Sequence, residues 1–148
     1  MDVTRTALIE HIKTASSSED VTSKALTVEV YAGQIKELAD RKTRVRIKLP
    51  AILVMFGQGN PLDTRPVHGF SIIFIAETNK LDKKKSEADA LSMAQDYAKW
   101  LLNNHRFEDD NTYYTLVNLE QSSVNTIYND HKYTILEMPV NVGVNRGD

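Results

Sequence analysis

The feature that most restricts this fold is the run Leu49-Pro50-Ala51-Ile52-Leu53-Val54-Met55-Phe56, which carries no charged or hydrogen-bonding side chain. An amphipathic helix would break such a run with polar residues at helical spacing, and a half-exposed strand would break it at every second position. A bilayer helix needs about 20 consecutive apolar residues, which this run does not supply. The run therefore reads as a strand covered on both faces. Pro50 is tolerated at its beginning, where a ladder hydrogen bond can be missing. A second apolar strand is expected over Val67 to Thr78, with Phe70, Ile72, Phe74 and Ala76 on one face and Ile73 and Ile75 on the other. The turn-rich stretch Gly57 to Pro66 joins the two, so they form a central antiparallel pair.

Helical and strand patterns flank that pair. Met1 to Ala15 places Ala7, Leu8, Ile12 and Ala15 on one helical face, and the Ser16-Ser17-Ser18 cluster ends the helix. Ala25 to Tyr31 alternates Leu26, Val28 and Val30 against Thr27 and Glu29, a strand stopped by Gly33. Ile35 to Asp40 fits a short helix before the basic stretch Arg41 to Lys48. After the lysine-rich loop Asn79 to Lys85, the longest helix begins with Ser86 as N-cap and Glu87 and Asp89 in its first turn. Its buried stripe is Ala90, Leu91, Ala94, Ala98, Leu101 and Leu102, widened by Tyr97 and Trp100, with a weak stop at Asn103-Asn104-His105. Glu108-Asp109-Asp110 reads as an acidic loop, Tyr113 to Gln121 as a strand, Asn129-Asp130 as a turn, and Lys132 to Val142 as the closing strand.

No repeat, low-complexity tract or Pro/Gly-rich linker divides the chain, so residues 1–148 read as a single domain. The fold class expected is α+β: a mainly antiparallel sheet of about five strands with two main helices packed on it. Composition supports an ordered, soluble, intracellular domain, with 41% apolar and 26% charged residues. The absence of cysteine removes disulfide scaffolds, cysteine-based zinc sites and thiol catalysis, and fits a cytosolic setting. A net charge of −2 argues against a dedicated nucleic-acid binder.

Motifs for chemistry fail one by one. His11, His68, His105 and His131 form no His-x-x-x-His pair, and as a set they read as surface or half-buried rings rather than metal ligands. Gly57-Gln58-Gly59 runs into Asn60-Pro61 instead of a helix whose amides would face a phosphate. Asp109 and Asp110, with Glu108 beside them, lack a third acid at a defined spacing and read as solvated. Ser16, Ser17, Ser18, Ser122 and Ser123 lie in polar linkers, outside any Gly-x-Ser-x-Gly turn. No catalytic, cofactor-binding or metal-ligating residue is assigned. Arg44, Arg46 and Lys48 alternate with Val45 and Ile47 like an edge strand with one charged face. Neither this segment nor Lys80 to Lys85 has the aromatic interleaving of a single-strand binder.

The order of segments carries one resemblance. Val28-Glu29-Val30-Tyr31-Ala32-Gly33 precedes Leu49-Pro50-Ala51-Ile52-Leu53-Val54, then Phe70 to Ala76 and Asn79. A long helix ending Trp100-Leu101-Leu102, a late Tyr128-Asn129 turn and the strand Tyr133 to Val142 follow. This order resembles the small tail proteins of Mu-like phages and prophages associated with the tail terminator role, over roughly Thr4 to Val142. The Lys80 to Lys85 loop and the tail Asn145 to Asp148 fall outside the match.

The resemblance implies a structural virion protein and not an enzyme, with no cofactor. Tail terminators look like α/β subunits that form a homohexameric ring on the head-proximal end of the tail tube, stop tube polymerisation and provide the docking surface for head–tail joining. The partners implied are copies of the chain itself, the tail tube protein, a neck or connector protein and a sheath. DNA passes through the lumen without sequence-specific binding, and no membrane is involved. The setting implied is the virion tail or neck, reached from the host cytoplasm during assembly. A basic lumen would retard DNA, so Lys80 to Lys85 are expected outside it.

Interface candidates are Arg41, Arg44, Arg46 and Lys48, facing acids of an adjacent subunit, and Leu62, Ile127 and Tyr128 in the connections Gly57 to Pro66 and Thr126 to His131. Three other readings compete: a neck or head-closure protein of the same virion, a small metal-dependent nuclease using Asp109, Asp110 and a histidine, and a solitary binding domain.

Overall fold

The computed structural model describes residues 2–22, 24–31, 47–57, 67–77, 83–117, 119, 124–129 and 133–146. Its elements are helix α1 (Asp2–Ser16), strands β1 (Thr27–Val30), β2 (Ala51–Phe56) and β3 (Val67–Glu77), helix α2 (Lys83–Asn103), and strands β4 (Arg106–Asp109), β5 (Thr112–Val117), β6 (Asn125–Asn129) and β7 (Tyr133–Arg146). The expected short helix Ile35 to Asp40 and most of the basic stretch, residues 41–46, lie outside the described residues.

The apolar run behaves as its composition requires. Ala51, Ile52, Leu53 and Val54 are all buried, and β2 pairs antiparallel with β3 in the register Ala51↔Ile75 to Phe56↔Phe70. The even-numbered side chains Ile52, Val54, Phe70, Ile72 and Phe74 face the helices, where they join Leu136, Met138, Val140 and Val142 of β7 in the main core. Leu53, Ile73, Ile75, Tyr133 and Ile135 form a second buried cluster on the opposite face, with Tyr31, Ile47, Leu49 and Met55 against it. One sheet thus has helices on one side and a smaller apolar patch on the other.

The strand order β1-β2-β3-β7-β5-β4, with β6 also on β7, bears out a mainly antiparallel sheet and refines it in two ways. First, it is mixed: β1 runs parallel to β2, from Thr27↔Ala51 to Val30↔Val54. The chain between Val30 and Ala51 exceeds the dozen or so residues that a parallel crossover requires. Second, the sheet has seven strands among the described residues where about five were expected, because β4 and β6 were hidden in the sequence. The acidic stretch is half of a hairpin. Asp110 and Asn111, at φ 53° and 65°, make a two-residue turn that sets Asp109 opposite Thr112. Positive φ at both central residues marks the I′-type turns that match strand twist. The connection read as Thr126 to His131 begins inside β6, whose alternation is broken by a bulge between Thr126 and Tyr128.

Strand β7 organises this side of the sheet. One edge pairs with β3 from Val67↔Gly143 to Glu77↔Tyr133. The other edge serves β6 over its first half and β5 over its second. Pro139 falls between the two partners, where its missing amide proton costs no ladder bond on that edge.

Helix α1 buries Ala7, Leu8, Ile12 and Ala15 as expected, together with Thr4 and Ile9. Helix α2 begins at Lys83, so Ser86 lies inside its first turn rather than before it. Its buried side is Ala90, Met93, Ala94, Tyr97, Trp100 and Leu101, while Leu102, expected in the stripe, is 45% exposed. No helix is long and apolar enough to cross a membrane among the described residues.

Candidate functional site

His11 is held on several sides. From the middle of α1 its ring stacks on Phe107 of β4, with centroids 4.3 Å apart and planes at 13°, and tilts against Trp100 of α2 at 4.8 Å. Phe107 in turn stacks on Tyr114 at 5.2 Å. His11 Nε2 lies 2.6 Å from the carbonyl oxygen of Asn104. A carbonyl only accepts, so the neutral ring carries its proton on Nε2. Burial pushes the His11 pKa down, and the bond to Asn104 pulls it back in part. The Asn104 amide and side chain both donate to Trp100 O at 2.9 Å, capping α2 where the chain turns into β4. This packed assembly has a structural character, with the ring nitrogen spent on a backbone carbonyl.

The other histidines stand apart from it. His68 on β3 is partly buried, and the loss of solvent lowers its pKa. His105 is exposed, with Nδ1 3.3 Å from Leu102 O, and His131 lies outside the described residues. Glu108, Asp109 and Asp110 project from the exposed β4–β5 hairpin tip. Among the described residues no three His, Asp or Glu side chains gather closely enough to hold a metal ion. The serines serve local structure: Ser16 Oγ sits 2.6 Å from Tyr97 Oη, and Ser17 Oγ donates to Lys13 O at 3.4 Å. Ser122 and Ser123 are outside the described residues. Gly57 continues the β2–β3 pairing by donating to Gly69 O at 2.9 Å. A Cβ there would stand 3.0 Å from the Phe70 carbonyl carbon, so packing explains this glycine.

Of the interface candidates, Arg41, Arg44, Arg46 and Leu62 lie outside the described residues. Lys48 is exposed, and its carbonyl accepts from Thr27 Oγ1 at 2.9 Å. Ile127 sits at the β6 bulge, 41% exposed, and Tyr128 takes its place in β6 opposite Ile135. Lys48 lies in the segment leading into β2, and Ile127 lies in β6, with β3 and β7 between those two strands.

Sequence reasoning missed several surface features. A groove of about 460 Å³ runs between α2 and the approach to β6, lined by Leu91, Ala98, Leu102, Leu119, Val124 and Met138. A smaller polar cleft of about 250 Å³ at the end of α2 is lined by Asp20, Asp96, Lys99, Trp100, Asn103 and Asn104. Leu26, just before β1, and Val30, at its end, are exposed, and Phe56 is exposed at the end of β2 with the Arg5 guanidinium 3.9 Å from its ring centre. The alternation of β1 contained the signal for Val30, because Val28 and Val30 share a face and only Val28 packs on the core. The groove had no such signal, since it depends on how the approach to β6 passes α2. No protein-family model matches this chain, and no curated protein is significantly similar to it.

Proposed function

We propose that this chain is a structural virion subunit, a tail terminator that forms a ring, a homohexamer, on the head-proximal end of a phage tail tube. The ring stops tube polymerisation and offers the surface on which the head joins. Within the described residues, the segments that carry the sequence resemblance fall on β1, β2, β3, α2, β6 and β7, and Tyr128-Asn129, read as a turn, ends strand β6.

The observation that carries the reading is the separation of two exposed apolar features. Leu26, just before β1, and Val30, at its end, are exposed, while Leu102 is exposed in the groove beside α2 and Ile127 is exposed on β6. Along the strand order β1 and β6 lie four inter-strand spacings apart, about 19 Å along the sheet. A head-to-tail ring needs two different patches, because each subunit meets its two neighbours with different surfaces. A terminator further needs one ring face that matches the tube and one that does not.

Mass measurement by light scattering with negative-stain imaging tests this directly. Closed rings that cap purified tail tubes and halt their elongation are the expected outcome. A monomer at high concentration that leaves tube length unchanged would overturn it.

A further inference from the structure

We propose that β4 is a self-pairing edge: two copies of this chain join their β4 strands antiparallel about a two-fold axis at Phe107, so that one sheet continues into the next. Such a contact is isologous and closes at two copies. It is therefore not the junction of a ring and does not rest on the ring reading; between rings it joins like faces. Strand β4 ends the strand order, and among the described residues it pairs with β5 alone. His105 O accepts from Leu116 N at 2.8 Å, and the Asp109–Thr112 pair closes the turn. Residues bonded to one neighbour alternate along a strand. His105, Phe107 and Asp109 thus spend their backbone groups on β5, while Arg106 and Glu108 turn theirs to the open edge. Side chains alternate in step: Phe107 packs on the main core, and Arg106 and Glu108 stand exposed on the opposite face. Natural edges are blunted with Lys, Pro or a bulge. Strand β4 has no Lys or Pro and keeps an unbroken register with β5.

The order of residues selects the partner. His105-Arg106-Phe107-Glu108-Asp109 is basic before Phe107 and acidic after it. An antiparallel copy centred on Phe107 sets Arg106 opposite Glu108 and His105 opposite Asp109, each pair occurring twice. Arg106 and Glu108 are also the residues with outward backbone, so the same two positions supply the ladder hydrogen bonds and the ion pairs. Opposite charges facing each other across strands are stabilising, and like charges directly opposite are destabilising. An in-register parallel copy would put Arg106 against Arg106 and Glu108 against Glu108. Among the described residues neither side chain belongs to an ion pair within the chain. Tyr113, opposite Glu108 on β5 and 51% exposed, flanks the charge pair. The far end of the sheet offers no such match. There Tyr31 N donates to Val54 O at 3.1 Å, which leaves Val28 and Val30 with outward backbone. Two-fold pairing through them is centred on Glu29 and sets two glutamates face to face.

Two short strands bury less than the roughly 1,200 Å² of a lasting complex, so the pair exchanges quickly and fills at high concentration. Sedimentation velocity of the full chain at rising concentration should show the mass doubling, and added salt should weaken it. Arg106→Glu and Glu108→Arg should each raise the Kd of pairing about tenfold. The double swap Arg106→Glu with Glu108→Arg keeps the parent's net charge and should restore pairing. An equimolar mixture of the two single variants should also pair, because an all-acidic edge then meets an all-basic one. Both positions are exposed, and an unchanged emission maximum of Trp100, the chain's only tryptophan, confirms that each variant is folded. Hydrogen exchange at the Arg106 and Glu108 amides should slow as concentration rises. A mass that never doubles, single reversals without effect, or a double swap no better than the singles would each overturn the proposal. A hexameric ring that falls apart in the single variants would make β4 the ring junction, overturning this proposal and leaving the ring reading in place.

Discussion

The Tyr97 hydroxyl lies 2.6 Å from Ser16 Oγ. The same oxygen accepts the Ala25 amide proton at 3.0 Å, so one buried phenol ties the end of α1, the following loop and the middle of α2 together. Tyr97→Phe keeps the ring and leaves Ala25 N–H and Ser16 without that partner. A loss of about 1–2 kcal/mol is expected. In urea unfolding this should appear as a lower midpoint at unchanged slope.

Gly57 and Gly143 make a contrasting pair. An added Cβ at Gly57 meets the Phe70 backbone at 3.0–3.2 Å, which has no free rotation to yield. At Gly143 it meets Val117 Cγ2 at 3.3 Å, the end of a side chain. Gly57→Ala should therefore cost about 1–3 kcal/mol, and Gly143→Ala clearly less. Equal losses in thermal melts of the two variants would contradict the close approach at Gly57.

The adjacent leucines Leu101 and Leu102 separate core from surface. Leu101 is 1% exposed, and Leu101→Ala should destabilise by about 2–5 kcal/mol. Leu102→Ser should leave unfolding within about 0.5 kcal/mol of the parent. If the groove belongs to a subunit interface, the same variant lowers the oligomer mass. Stability and assembly would then come apart in one substitution.

The pH dependence of stability has a defined sign. Burial holds the His11 pKa below 6.5 in the folded chain, so the unfolded chain binds the proton more tightly. The stability held by the neutral ring is complete above pH 6.5 and is lost as the pH falls through the folded-state value, with no further change below it. Urea midpoints across this range should converge in acid for the parent and His11→Gln.

The β4–β5 turn yields a stabilising prediction. Asp110 and Asn111 both occupy left-handed backbone, at φ 53° and 65°. Replacing the pair by Asn-Gly, the preferred residues for such a turn, should raise stability by several tenths to about 1 kcal/mol. Asn111→Val should lower it by about 1–2 kcal/mol.

How much was legible depended on periodicity. The alternation of Phe70, Ile72, Phe74 and Ala76 was sufficient to place β3 and its faces, and the apolar run placed β2 as its antiparallel partner. The buried face of α1 followed from Ala7, Leu8, Ile12 and Ala15. Strand β4 escaped because one apolar residue, Phe107, stands among charges, and β6 escaped because its bulge breaks the alternation. The parallel pairing of β1 was invisible because direction depends on the crossover rather than on the strand's own residues. His11 shows the same limit: Asn104 and Phe107 lie far along the chain, and only tertiary packing brings them to it.

Strand β7 gives the fold an order of events. It is the shared neighbour of β3, β5 and β6, yet it follows all of them in the sequence. On the ribosome, the β2–β3 pair and the β4–β5 hairpin can form while they wait, but they remain separate pieces with unsatisfied backbone along their edges. Completion is therefore a late, long-range event, slow by the usual relation between contact separation and rate. A nascent chain halted before residue 133 would expose sticky strand borders and become a substrate for chaperones or aggregation.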